Sequence, residues 1–192
     1  MKNNNPFLPE GEKIPASGGK YTRFESGENK FRILASAITG WELWVEKKPL
    51  RRKTVEEFTN LELSSADIDP FDPNGKRKTP RYFWAFPVYN YTTGVVEILE
   101  VSQATIMRGI ESFLNDEDYG AEPWKYDFVV VKDAESKPVQ YSVRAKPPKE
   151  LDPEIKKQTD EEIAKIDLTE LYRSGDPFNP EQKDDSDEDI SF

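Results

Sequence analysis

The sequence predicts a mainly β chain: a five-stranded barrel with one helix between its third and fourth strands, followed by a polar extension. Three observations predict it. Short runs rich in β-branched and aromatic residues recur between clusters of turn-forming residues. Within the body only one segment, 103–115, carries apolar residues at helical spacing. Charge also divides the chain: residues 1–149 hold 22 basic and 22 acidic residues, whereas residues 150–192 hold 5 and 15, the whole net charge of −10. A neutral folded body with an acidic terminal segment follows.

Residues 1–19 are rich in Asn, Pro and Gly and read as a flexible arm. Residues 20–24 are compatible with a short strand. Phe31–Leu34 begins the first main strand, and Trp41–Val45 continues it beyond Gly40, as one kinked strand or a tight pair. Residues 48–80, with four prolines and Asn74-Gly75, read as a long irregular loop holding one short element between Thr54 and Leu63. Arg81–Tyr91 and Val95–Val101 form a hairpin around Thr92-Thr93-Gly94, with Pro87 predicting a bulge or an edge position. Ser102 is the expected cap of the helix that presents Ile106, Met107, Ile110, Phe113 and Leu114 on one face. Strands at Tyr126–Val131 and Val139–Ala145 follow, and Lys146-Pro147-Pro148 closes the body, residues 20–148. This order is the topology of an OB-fold barrel; a generic five-stranded α+β sheet is the rival. A polar helix over 152–166 and a docking segment at Leu168-Leu171-Tyr172 make a helical extension, residues 149–173. Residues 174–192 are expected to be disordered and acidic.

The composition excludes several chemistries. The chain has neither cysteine nor histidine. Disulfides, thiolate metal sites, thiol nucleophiles and Ser-His-Asp machinery are therefore absent. Asp67, Asp69, Asp72 and Asn74 miss the calcium-loop spacing and read as turn residues. No glycine-rich phosphate loop is present. The expectation is a protein without catalytic activity, cofactor or metal. No apolar run reaches membrane-spanning length and no secretory leader is visible, so a cytosolic location is expected.

The basic residues cluster beside the strands. Lys47, Lys48, Arg51, Arg52 and Lys53 form one group; Lys76, Arg77, Lys78 and Arg81 form another, with the loop's acids between them. OB-folds bind oligonucleotides across their second and third strands and adjoining loops. Charge of this kind neutralises phosphates with counterion release. Tyr82, Trp84 and Phe86 alternate with Phe83, Tyr89 and Tyr91 on the strongest strand, and a small barrel cannot bury both rows. Exposed rings there, Trp44 among them, would stack on bases regardless of sequence. The same rings could instead pack under the C-terminal helix, or in a dimer interface, which would make them a self-association surface.

The end of the chain carries a separate signal. Asp184-Asp185-Ser186-Asp187-Glu188-Asp189-Ile190-Ser191-Phe192 is acidic and finishes on an aromatic ring. Asp187, Glu188, Asp189, Ile190 and Phe192 are candidate partner-binding residues. The ring suits an apolar pocket, and the acids suit either a basic rim or the protein's own DNA groove. A third pattern, Asx-Pro-Phe-Asx-Pro, recurs at 69–73 and 176–180 and, with Leu8 in place of the second Asx, at 5–9, and reads as turn chemistry.

Tyr21-Thr22-Arg23-Phe24, Gly27–Leu34, Gly40–Trp44, Tyr82–Tyr91, Ile98-Leu99-Glu100, Gln103–Ile106 and the acidic Phe-terminated tip together resemble a family of bacteriophage single-stranded DNA-binding proteins. The resemblance covers residues 20–146 and the tip. It implies an OB-fold, sequence-independent binding of single strands, and recruitment of replication, recombination or repair enzymes through the tip, in the cytoplasm of an infected bacterial host. The ending Ile190-Ser191-Phe192 departs from the Pro-Phe ending of many bacterial members, which shifts the expected partners toward phage enzymes. The rival function is an acidic DNA mimic or inhibitor of a nucleic-acid enzyme. A mimic would spread its acids over the folded face, whereas here the excess lies past residue 149.

Overall fold

The segments read as main strands all form strands, and the computed structural model, which describes residues 21–120 and 122–180, assembles one antiparallel sheet of seven strands; the short strand expected at 20–24 is reduced to an isolated bridge between Tyr21 and Ile98. These are β1 (Gly27–Ile33), β2 (Ile38–Val45), β3 (Lys48–Arg52), β4 (Arg81–Asn90), β5 (Val95–Val101), β6 (Asp127–Asp133) and β7 (Gln140–Ala145). The helices are α1 (Asn60–Ser64), α2 (Ala104–Leu114) and α3 (Pro153–Ile163), with a 3₁₀ turn at Leu168–Arg173. The sheet runs β3-β2-β4-β1-β6-β7, and β5 pairs with the other edge of β4. The mainly β expectation holds. The structure has seven strands where five were expected, and the sheet does not close: no ladder joins β5 to β7 among the described residues.

β1 and β2 lie end to end along the same side of β4, Ile33 opposite Val88 and Ile38 opposite Ala85. They are one strand interrupted at 34–37, so the break falls before Gly40. Gly40 has a different role. A Cβ there would run into the Arg52 carbonyl oxygen and lie 3.1 Å from the Tyr172 ring. Pro87 makes no bulge, because the β4–β5 register continues through Pro87 opposite Ile98. Its carbonyl accepts from Leu34 N–H at 3.0 Å. The N and O of a strand residue face the same side, so the missing N–H falls at the β1–β2 break, where no ladder bond is lost.

The sheet is covered on both faces. On one, Phe31, Phe86, Leu99 and Phe128 pack with Ile106 and Ile110 of α2. The helix closes onto β7 because position 109 is glycine; a Cβ there would meet Val143 at 2.6 Å. On the other face Phe83, Ala85 and Ile98 lie beneath Leu171, with Tyr172 and Phe178 beside them. The C-terminal segment thus docks as expected, with the Tyr172 hydroxyl donating to Thr39 O at 2.7 Å. Its reach is longer than expected. Residues 174–180 belong to the folded body: Asp167 N–H donates to Pro177 O at 2.9 Å, and Phe178 meets Tyr21 edge-on at 6.5 Å. The N-cap of α2 is Gln103, not Ser102, without a side-chain cap bond. α3 begins at a true Asp152 cap, whose carboxylate accepts from Glu154 N–H at 2.9 Å. The expected arm at 1–19 and the rest of the expected acidic tail, 181–192, lie outside the described residues.

Candidate nucleic-acid interface

The first basic cluster is a strand and not a loop. β2 and β3 pair from Trp41 opposite Arg52 to Val45 opposite Lys48 and turn through Glu46 and Lys47. Both turn residues have positive φ, 52° and 61°, the backbone of a two-residue type I′ hairpin. Asp67 fixes the turn by accepting from Lys47 N–H at 3.0 Å. Pro49 is tolerated because β3 is an edge strand.

Strand pairing splits the candidate residues between the two faces. Arg51 sits opposite Glu42, and Glu42 opposite Arg81, so Arg51 and Arg81 share one face with Trp44. Arg52 sits opposite Trp41, and Trp41 opposite Tyr82, so Lys48, Arg52, Tyr82 and Trp84 share the other. On the first face a groove is lined by Trp44, Asp69, Phe71, Lys78 and Arg81. Trp44 is 38% exposed, its indole N–H donates to Glu42 Oε1 at 2.9 Å, and the Lys78 ammonium lies 5.3 Å from its ring centroid. Arg81 is exposed, 3.9 Å from Asp69. On the second face Tyr82 is 40% exposed and packs edge-on against Trp41 at 5.6 Å. Lys47, Lys48, Lys53, Lys76 and Lys78 form no ion pair among the described residues. Lys53 reaches toward the Tyr172 ring, 5.7 Å away, and Arg77 donates to Ala66 O at 2.6 Å.

Four candidates are less open than expected. Tyr89 is 8% exposed; burial pushes its phenol up, helped by Asp152 and Glu162 of the covering segment. Trp84 is half-buried against the α2 core and lines an apolar cleft with Phe86, Leu114 and Trp124. Arg51 is 8% exposed and pairs with Glu100 at 2.6 Å and Glu42 at 3.3 Å. Burial pushes the Glu100 carboxyl up, against the pull of Arg51. Arg52 is committed to Glu62 at 2.7 Å, over the Phe58 ring. Alternation along β4 is regular, but it cannot reveal that the C-terminal segment covers the face bearing Phe83 and Tyr89. Asp187, Glu188, Asp189, Ile190 and Phe192 lie outside the described residues.

The acids of the 67–74 loop behave as turn residues. Asp69 Oδ1 accepts from Phe71 N–H at 3.0 Å and Asp72 Oδ1 from Asn74 N–H at 2.8 Å. Among the described residues no group of three or more carboxylates is placed to hold a metal ion. No helix among them is long and apolar enough to cross a membrane.

Against protein-family models, curated proteins and solved structures, the chain finds no match. The site therefore rests on its own geometry. The residue that sequence reasoning missed is Phe71, 92% exposed on the groove's rim. Its signal was the repeated Asx-Pro-Phe-Asx-Pro motif.

Proposed function

We propose that this chain is a single-stranded DNA-binding protein of the bacteriophage type, without catalytic activity, that acts in DNA replication, recombination or repair in the cytoplasm of an infected bacterium. The observation that carries the reading is the β2–β3 hairpin with its neighbouring loop. Five lysines without ion pairs among the described residues, Lys47, Lys48, Lys53, Lys76 and Lys78, lie in or beside it, and the Lys78 ammonium sits over the exposed Trp44 ring. Cations supply the phosphate contacts, and rings supply stacking that tolerates every base. The strand arrangement supports an OB-like reading. β1 and β2 form the bent first strand, β4 and β5 the second and third, α2 the intervening helix, and β6 and β7 the last two, with β3 and the 53–80 loop inserted after the first. In this reading the OB barrel is left open between β5 and β7. DNA is displaced from the outer face of β4–β5, which the C-terminal segment covers, to the hairpin beside it. The acidic residues after 180 compete for the hairpin's lysines, and the tip with Phe192 recruits partner enzymes.

A titration of labelled oligo(dT) with the full-length chain tests the reading, beside a chain ending at Pro180, which keeps Phe178 in place. Micromolar or tighter binding without strong base preference is expected, and the shortened chain should bind more tightly at low salt. Replacing Lys48 and Lys53 by Ala should flatten the salt dependence by about 0.7 in log–log slope per lost phosphate contact. Absence of binding by both chains at low salt would overturn the reading in favour of an acidic mimic.

A further inference from the structure

Phe71 is held on a turn that is rigid for its size. Asp69 Oδ1 accepts from Phe71 N–H at 3.0 Å, and Asp72 N–H donates to Asp69 O at 3.1 Å. The returning arm is tied back by Asp69 N–H to Lys76 O at 2.8 Å and Lys78 N–H to Asp67 O at 2.7 Å. The same sequence recurs at Asp176-Pro177-Phe178-Asn179-Pro180 with the same bonds: Phe178 N–H to Asp176 Oδ1 and Asn179 N–H to Asp176 O, both 3.0 Å. There the turn delivers its phenylalanine into the body, against Tyr21 and beside Leu171. At 69–73 the same device delivers Phe71 into solvent, 92% exposed, on the rim of the groove shared with Trp44. An ordered backbone carrying an exposed ring has already lost the entropy that binding would otherwise cost.

We infer that Phe71 is a base-stacking finger, and that a nucleobase of a single strand enters the groove between Phe71 and Trp44 while Lys78 and Arg81 meet its flanking phosphates. The inference rests on the single-strand-binding reading and deepens it. The flanking residues favour a polyanion over an apolar protein partner: Lys76, Arg77 and Lys78 follow the turn directly, and Arg81 closes the groove. Both acids of the groove are already occupied: Asp69 accepts from the Phe71 N–H and faces Arg81, and Glu42 accepts from the Trp44 indole and faces Arg51.

The test is an anisotropy titration of the full-length chain and its Phe71→Ala, Phe71→Trp and Lys78→Ala variants. The probes are labelled oligo(dT) and an abasic strand of the same phosphate number. Phe71 buries almost nothing, so Phe71→Ala should melt with the parent. On oligo(dT) it should weaken binding about 5- to 150-fold, the equivalent of about 1–3 kcal/mol for one stacked base, with the salt slope unchanged. Phe71→Trp should restore affinity, and on the abasic strand the Phe71→Ala loss should vanish. Lys78→Ala should lower the slope. If the parent binds oligo(dT) and Phe71→Ala binds equally well, the finger is overturned while the wider reading stands. An equal Phe71→Ala loss on both strands would also overturn it. If the parent binds neither strand, both fall together.

Discussion

Arg32 is 1% exposed and spends its guanidinium on three acceptors: Asp127 Oδ1 at 2.6 Å, Trp124 O at 2.9 Å and Lys149 O at 3.0 Å. Lys30 and the Tyr91 hydroxyl complete the Asp127 shell, each at 2.8 Å. Burial pushes the Asp127 carboxyl up, but the bonds from Lys30, Tyr91 and Arg32 outweigh it and hold the carboxyl below its ordinary value of 3.8. Burial likewise pushes the Tyr91 phenol up, reinforced by its bond to Asp127. A carboxyl depressed on folding adds stability that is complete above 3.8 and is lost as pH falls through the folded value. Asp127→Asn should therefore lower the unfolding free energy at pH 7 by about 3 kcal/mol, since it leaves a buried guanidinium unpaired. Urea unfolding should show that deficit shrinking below pH 4; an equal deficit at both pH values would refute the assignment. Arg51 obeys the same logic. Arg51→Ala should cost stability by a similar ~3 kcal/mol and leave the salt slope of oligo(dT) binding unchanged, because its charge faces Glu42 and Glu100. Sequence showed both arginines as cations in strands. It could not show their tightest partners, Asp127 and Glu100, which lie 95 and 49 residues away.

The β2–β3 hairpin turns on two residues that side chains ordinarily avoid. Glu46 and Lys47 both take positive φ where Asn-Gly would be relaxed, at about 1–2 kcal/mol each. Glu46→Asn with Lys47→Gly should raise the unfolding free energy by about 1 kcal/mol. On the proposed function it should also flatten the salt dependence of oligo(dT) binding, because the Lys47 charge is gone. A variant that gains neither stability nor loses slope would place the hairpin outside the interface. This turn explains why residues 48–52 read as a loop: it contains no glycine or asparagine, and Pro49 argued against a strand. The longer elements were legible because their signals are local. α2 repeats Ile106 and Ile110 at helical spacing, and β4 alternates without interruption. Gly40 was legible only as an anomaly; its cause is the Arg52 carbonyl and the Tyr172 ring. Gly40→Ala should cost about 1–3 kcal/mol through overpacking, visible as a lower thermal midpoint.

At the scale of the molecule, one face of the sheet depends on the C-terminal segment. Leu171 is 1% exposed among Phe83, Ala85 and Ile98. Leu171→Ala should cost about 2–5 kcal/mol, measured by denaturant unfolding. A chain ending at Pro180 should melt with the full-length protein, and a loss of cooperativity on that truncation would show that residues beyond 180 complete the core. The charge division read from the sequence at residue 149 therefore does not coincide with the structural one, because the acidic half begins with a segment that packs like core. The order of synthesis gives this arrangement a further meaning. All seven strands leave the ribosome before Leu171 and Phe178 do. The apolar patch of Phe83, Ala85 and Ile98 is thus the last surface to be sealed, and a nascent chain paused after β7 presents it to whatever chaperone or neighbouring chain is at hand.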